Sequence, residues 1–173
     1  MADSALNSGA SYVLCGAWEQ AEQHTSAALA YYRQIGDTLI MPYTFCQLAE
    51  IHGGRGDLEK AERWFAEGIA GIRRLDHSLG LRLKLPEWGR FLTMTDRFHE
   101  ALLVLDEEAR IWESIGGRHF LITVRAITAR TLAGMGRTEE AAALARELWE
   151  EIEVRQGKGL RTRSNRSSTV PSP

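Results

Sequence analysis

Several things are scarce in this chain, and each scarcity excludes something. Two cysteines, Cys15 and Cys46, among 173 residues are too few for a disulfide framework. Both read as reduced thiols, and the expected compartment is the cytoplasm. No apolar run approaches the roughly 20 residues needed to span a bilayer, so no membrane partner is expected. Ser11-Tyr-Val-Leu-Cys15 has the outline of a lipoprotein signal. No basic residue precedes it, and Leu14 stands where a small residue is required, so a leader is not expected. An excess of basic charge is missing too: the formal net charge of -2 argues against a dedicated nucleic-acid binder.

Metal and catalytic patterns are absent in the same way. His24, His52, His77, His99 and His119 form no His-x-x-x-His pair, and no cysteine stands at ligand spacing to any of them. His99-Glu100 begins like a zincin motif but lacks the second histidine. No serine or cysteine sits beside a base in a glycine elbow. The expectation is a chain with no catalytic residue, no metal and no cofactor. Its carboxylates, Glu107-Glu108, Glu139-Glu140, Glu150-Glu151 and Glu153, read as solvated helix faces.

What is present is ordinary composition and a strict repeat. Apolar residues make up 44% and charged residues 25%, enough for one soluble domain with a real core. Gly16-Ala-Trp-Glu-Gln-Ala21 recurs forty residues later as Gly56-Asp-Leu-Glu-Lys-Ala61. It recurs again as Asp96-Arg-Phe-His-Glu-Ala101 and Gly136-Arg-Thr-Glu-Glu-Ala141, with no insertion or deletion. Gly9, Ala49, Gly89 and Ala129 form a second, small column, expected to face the alanine column of the next helix. Tyr32, Ile72, Trp112 and Ile152 form a large apolar one. Each unit thus reads as helix A, a tight turn, helix B and a linking turn. In the second unit helix A covers about 42–54, with Leu48, Ala49 and Ile51 inward, and helix B about 58–75.

The repeat settles how His52-Gly-Gly-Arg-Gly-Asp57 is read. A phosphate loop needs a preceding strand and Gly-Lys-Ser/Thr, and neither is there. The equivalent turns in other units carry no Arg-Gly-Asp, so that tripeptide has no adhesive meaning. Gly56 ends helix A with positive φ, and Asp57 caps the next helix through its side chain. Tryptophans 88 and 112 fall in core columns, whereas Trp149 borders the stripe Leu144, Leu148, Ile152, partly exposed on a last helix that no fifth unit covers. Self-association through that uncapped helix is one expectation. Residues 156–173 hold Lys158, Arg161, Arg163 and Arg166 without an acid, and their Ser, Arg and Pro content reads as a disordered tail.

Leu48-Ala49, Gly56-Asp57, Ala61, Phe65 and Gly68-Ile69 together resemble the tetratricopeptide (TPR) signature. The usual TPR period is 34 residues, and the period of 40 is similar to the long-helix variety in bacterial ATPase regulators of the maltose-regulator and cyclase-fused type. The resemblance covers residues 2–155, in units of about 2–41, 42–81, 82–121 and 122–155. It is strong in unit two and fair in unit three. Units one and four depart from it, with Thr25 and Ala145 where the aromatic should stand. It implies an all-α, right-handed solenoid of four antiparallel helix pairs. It also implies a non-catalytic scaffold whose helix A residues line a concave groove for a protein or peptide partner. On that analogy the groove is lined by Asn7, Gln47 and Glu87 in one column and by Glu50, Arg90 and Arg130 in the next. Its arginines favour an acidic partner. The rival expectation is a sensor array belonging to a larger ATPase-type transcriptional or cyclase regulator. Stand-alone array and fragment both fit the sequence.

Overall fold

A computed structural model describes residues 2–164, and among them every regular element is a helix. The elements are α1 (Ala2–Leu14), α2 (Trp18–Ile35), α3 (Met41–Gly54), α4 (Leu58–Arg74), α5 (Ser78–Met94), α6 (Phe98–Ser114), α7 (Arg118–Gly134) and α8 (Thr138–Ser164). The even-numbered helices open at residues 18, 58, 98 and 138, in step with the alanine column. The third pair begins at Ser78, earlier than the 82 expected, because only Leu75–His77 link α4 to α5.

The turn after α3 closes through Gly56 N–H to the Gly53 carbonyl (3.1 Å) and Asp57 N–H to the His52 carbonyl (2.9 Å). Gly56 adopts φ +84°, which a glycine reaches without steric cost. Asp96 fills the equivalent place at φ 59°, since aspartate tolerates the left-handed region better than most residues. Asp57 occupies the N-cap position of α4 but makes no side-chain cap hydrogen bond, contrary to the sequence expectation. Its carboxylate turns instead to the Lys60 ammonium at 2.8 Å. That hydrogen bond holds the carboxyl below its ordinary range.

Each helix packs on its chain neighbours, and α1, α3, α5 and α7 also touch one another in succession. Among the described residues no two even-numbered helices meet. The odd-numbered helices therefore form one layer and the even-numbered helices flank it. Ala21, Ala61 and Ala101 are fully buried where the helices cross. Ala61 lies opposite Gly53, with 3.8 Å separating its methyl from where a Gly53 side chain would begin. The small column meets the position one turn after the alanine instead: Gly9 stands against Thr25 and Gly89 against Leu105. Each helix thus sits one turn displaced from the facing predicted from the columns.

Between the helices lies a chain of apolar clusters. Phe65, Ile69, Ile72, Leu85, Trp88 and Phe91 fill the centre. Leu29, Phe45, Leu48 and Ile51 fill the space toward α1 and α2, and Leu105, Trp112, Val124 and Ile127 that toward α7. Each such side chain taken from water contributes about 1.5–3 kcal/mol, so this row of contacts is the main favourable term. Trp149 is 63% exposed on α8, as the end of the repeat implied. Helix α8 itself runs through Ser164, nine residues into the segment expected to be a disordered tail. No proline interrupts residues 138–164, so nothing stops the backbone ladder there. Residues 165–173, the rest of that segment, lie outside the described residues.

Candidate partner-binding face

The six residues expected to line one groove fall into three different situations. Asn7 is exposed on α1. Gln47 is 5% exposed, and its Nε2 donates to the Leu6 carbonyl at 3.2 Å. It therefore ties α3 to α1 and is no free groove residue. Contact between successive odd helices closes over this column at α3, which the spacing of columns alone could not reveal.

Glu50, Glu87, Arg90 and Arg130 do come together on the odd-helix layer. Glu50 accepts a hydrogen bond from Lys84 Nζ at 2.7 Å, and about four-fifths of each side chain is covered. Burial opposes the charge on Lys84, but the carboxylates of Glu50 and Glu87 outweigh it and raise the ammonium above its ordinary value. Three residues on, Arg90 pairs with Glu87 along α5. Arg90 and Arg130 are exposed and line the same depression, about 320 Å³, with Thr93, Ile122, Ala126 and Ile127 between them. Its lining is mainly apolar and includes both arginines. Beneath it, the Thr93 and Thr131 hydroxyls bond to each other at 2.8 Å and fix α5 against α7.

Seven residues before Glu50 and Arg90, or about 10 Å along the helix, the same layer turns apolar. Tyr43 and Leu83 there join Leu6, Leu39, Ile40, Leu75 and Leu79 around a shallow hollow of about 470 Å³. Leu39, Leu79 and Leu83 are exposed. One face of the protein thus carries an apolar strip and a charged strip side by side. The sequence matches no protein-family model, and no curated protein shows significant similarity to it.

Two side chains of this region escaped sequence reasoning. Lys84 lies in the column Ser4, Thr44, Lys84, Val124, of which Thr44 and Val124 are buried and Ser4 is exposed. Glu108 was expected to be solvated but is only 2% exposed. Its column is Ala28, Gly68, Glu108, Leu148, so a glutamate among small and apolar residues was the available signal. Trp112 Nε1 donates to Glu108 Oε1 at 3.3 Å, and burial pushes the carboxyl up to about 7.

Chemistry elsewhere is muted. Among the described residues no three His, Cys, Asp or Glu side chains gather as a metal site. His52 is buried, with Glu22 and Asp57 each 3.8 Å from its ring nitrogens. Burial pushes the Cys46 thiol up to about 12, so it stays protonated at neutral pH. No described helix is long and apolar enough to cross a membrane.

Proposed function

We propose that the chain is a TPR-like, right-handed solenoid of four antiparallel helix pairs with a 40-residue period, acting as a non-catalytic scaffold. Its partner is an acidic protein or peptide segment held on the odd-helix face. The observation that carries this reading is that Arg90 and Arg130 line one mainly apolar depression. An arginine fork pairs with a carboxylate through two parallel hydrogen bonds, which favours Asp or Glu in the ligand. The neighbouring strip of Leu79, Leu83 and Tyr43 supports a ligand that brings apolar side chains as well. The free thiols of Cys15 and Cys46 support a reducing compartment.

The test is capture of partners on the immobilised chain, followed by titration with fluorescent peptides rich in Asp and Glu. Arg90→Ala with Arg130→Ala should weaken binding at least tenfold, about 1.4 kcal/mol. Added salt should weaken the wild-type complex. Unchanged binding by the double variant, together with loss on Trp149→Ala, would move the site to α8 and sink the groove assignment.

A further inference from the structure

Helix α5 contains a proline in its interior, Pro86. A proline has no N–H, so the Arg82 carbonyl, four residues back, loses the donor that every regular turn supplies. Across the helix crossing stands Glu108. The equivalent pair shows what the two helices bring together. In α3 and α4, a side chain on Gly68 would begin 2.8 Å from the Pro42 carbonyl oxygen and 3.1 Å from Cys46 N. Moved one unit along, Gly68, Pro42 and Cys46 become Glu108, Arg82 and Pro86. The glutamate therefore replaces a glycine where the helix backbones pass closest. It does so in the one unit where the equivalent carbonyl, that of Arg82, has lost its helical donor to a proline.

The hydrogen-bond inventory of Glu108 agrees. Oε1 accepts from Trp112, whereas Oε2 is buried and no donor reaches it. A buried carboxylate oxygen without a donor costs a large desolvation penalty, and a neutral acid beside an open carbonyl removes it. We infer that Glu108 is held as the carboxylic acid and donates its Oε2 hydrogen to the Arg82 carbonyl that Pro86 leaves open, latching α5 to α6 with one proton.

The surroundings favour the neutral acid on balance. Burial, the largest influence, raises the carboxyl; the Trp112 hydrogen bond and Arg90 of α5 pull it down, and Glu87 of α5 pushes it up. The Arg82 guanidinium stands 5.2 Å from the centre of the Trp112 ring, and its buried Nε has no hydrogen-bond partner. From α7 the facing residues are Val124 and Ile127, both apolar, and Arg125 is committed to Glu147 and Glu151 of α8. A carboxyl whose folded pKa is raised contributes stability that is present below the unfolded value of 4.5 and lost as pH rises toward 7.

The decisive experiment follows the Glu108 side-chain carboxyl by carbon-13 NMR in the full chain, wild type and Pro86→Ala, with unfolding midpoints at pH 5 and 8. Glu108 should titrate near 7 in the wild type. Pro86→Ala returns an N–H to the Arg82 carbonyl and should move that titration down toward the ordinary carboxylate range. Glu108→Gln keeps a donor and should be no less stable at pH 8 than at pH 5, unlike the wild type. Glu108→Leu keeps none and should be less stable than Glu108→Gln, with the gap closing when Pro86→Ala is added. An ordinary carboxylate titration in the wild type overturns the latch. So does a titration that Pro86→Ala leaves unmoved, or a Gln–Leu gap that persists in the Pro86→Ala background.

Discussion

Gly134, at the end of α7, lies directly under the ring of Phe98, which opens α6. A methyl group on Gly134 would stand 2.5 Å from Phe98 Cε1. The same relation joins Gly54 and Trp18, each eighty residues before its counterpart. Where the glycine of this column is replaced by Met94, the residue thirty-six before it is Leu58, not an aromatic ring. Ring and glycine are matched pairs, so one side cannot change alone.

Gly134→Ala should therefore destabilise the chain by about 1–3 kcal/mol through overpacking, although alanine is the better helix former. Adding Phe98→Leu should recover much of that loss, because leucine leaves room for the methyl. Urea unfolding of the two single variants and the double variant gives the coupling directly. Independent, additive effects would show that Phe98 moves aside freely and that the pairing is incidental.

The Glu50–Lys84 pair, 2.7 Å apart and four-fifths covered, lies between an exposed ion pair and a fully buried one. Exposed pairs contribute at most about 1 kcal/mol. Breaking a buried one costs about 3–5 kcal/mol, because the remaining charge is stranded. Lys84→Met should fall between, at about 1–3 kcal/mol. Adding Glu50→Gln should cost less than the sum of the two single changes. A Lys84→Met variant as stable as the wild type would mean the ammonium does no more than a surface lysine.

His52 gives stability a pH dependence opposite in sign to that of Glu108. Burial holds its ring pKa below the ordinary 6.5, despite Glu22 and Asp57 nearby. The folded chain thus binds fewer protons there than the unfolded chain below pH 6.5. Its contribution is present above that value and declines on acidification. In a Glu108→Gln background, unfolding midpoints should fall between pH 6.5 and 5, a window above the range where ordinary carboxylates titrate. Adding His52→Gln should flatten that fall. A slope unchanged by the histidine substitution would assign the acid sensitivity to another group.

How these features relate to the sequence differs from one residue to the next. A forty-residue spacing of alanines, glycines and large apolar residues was enough to place the starts of the even-numbered helices, the turn at Gly56 and the buried faces carrying Leu48, Ile51 and Ile72. These follow from local physics: helical period selects a face, and only a few residues accept positive φ. The neighbourhood of Arg90 and Arg130 was legible as well, since equivalent positions in successive units must fall side by side when helices stack. Depth was not legible. Gln47, Glu87 and Asn7 share a column, yet Gln47 is buried against α1 while Asn7 stays in water. Glu108 read as a surface charge and Lys84 drew no reading at all, because periodicity assigns direction around a helix, not the distance to the next one. That distance is set by the side chains of both partners at once: Gly134 beneath Phe98, Gly68 against Cys46, Gly89 against Leu105. Packing is a property of pairs, and a single chain of letters names the members without saying how closely they meet.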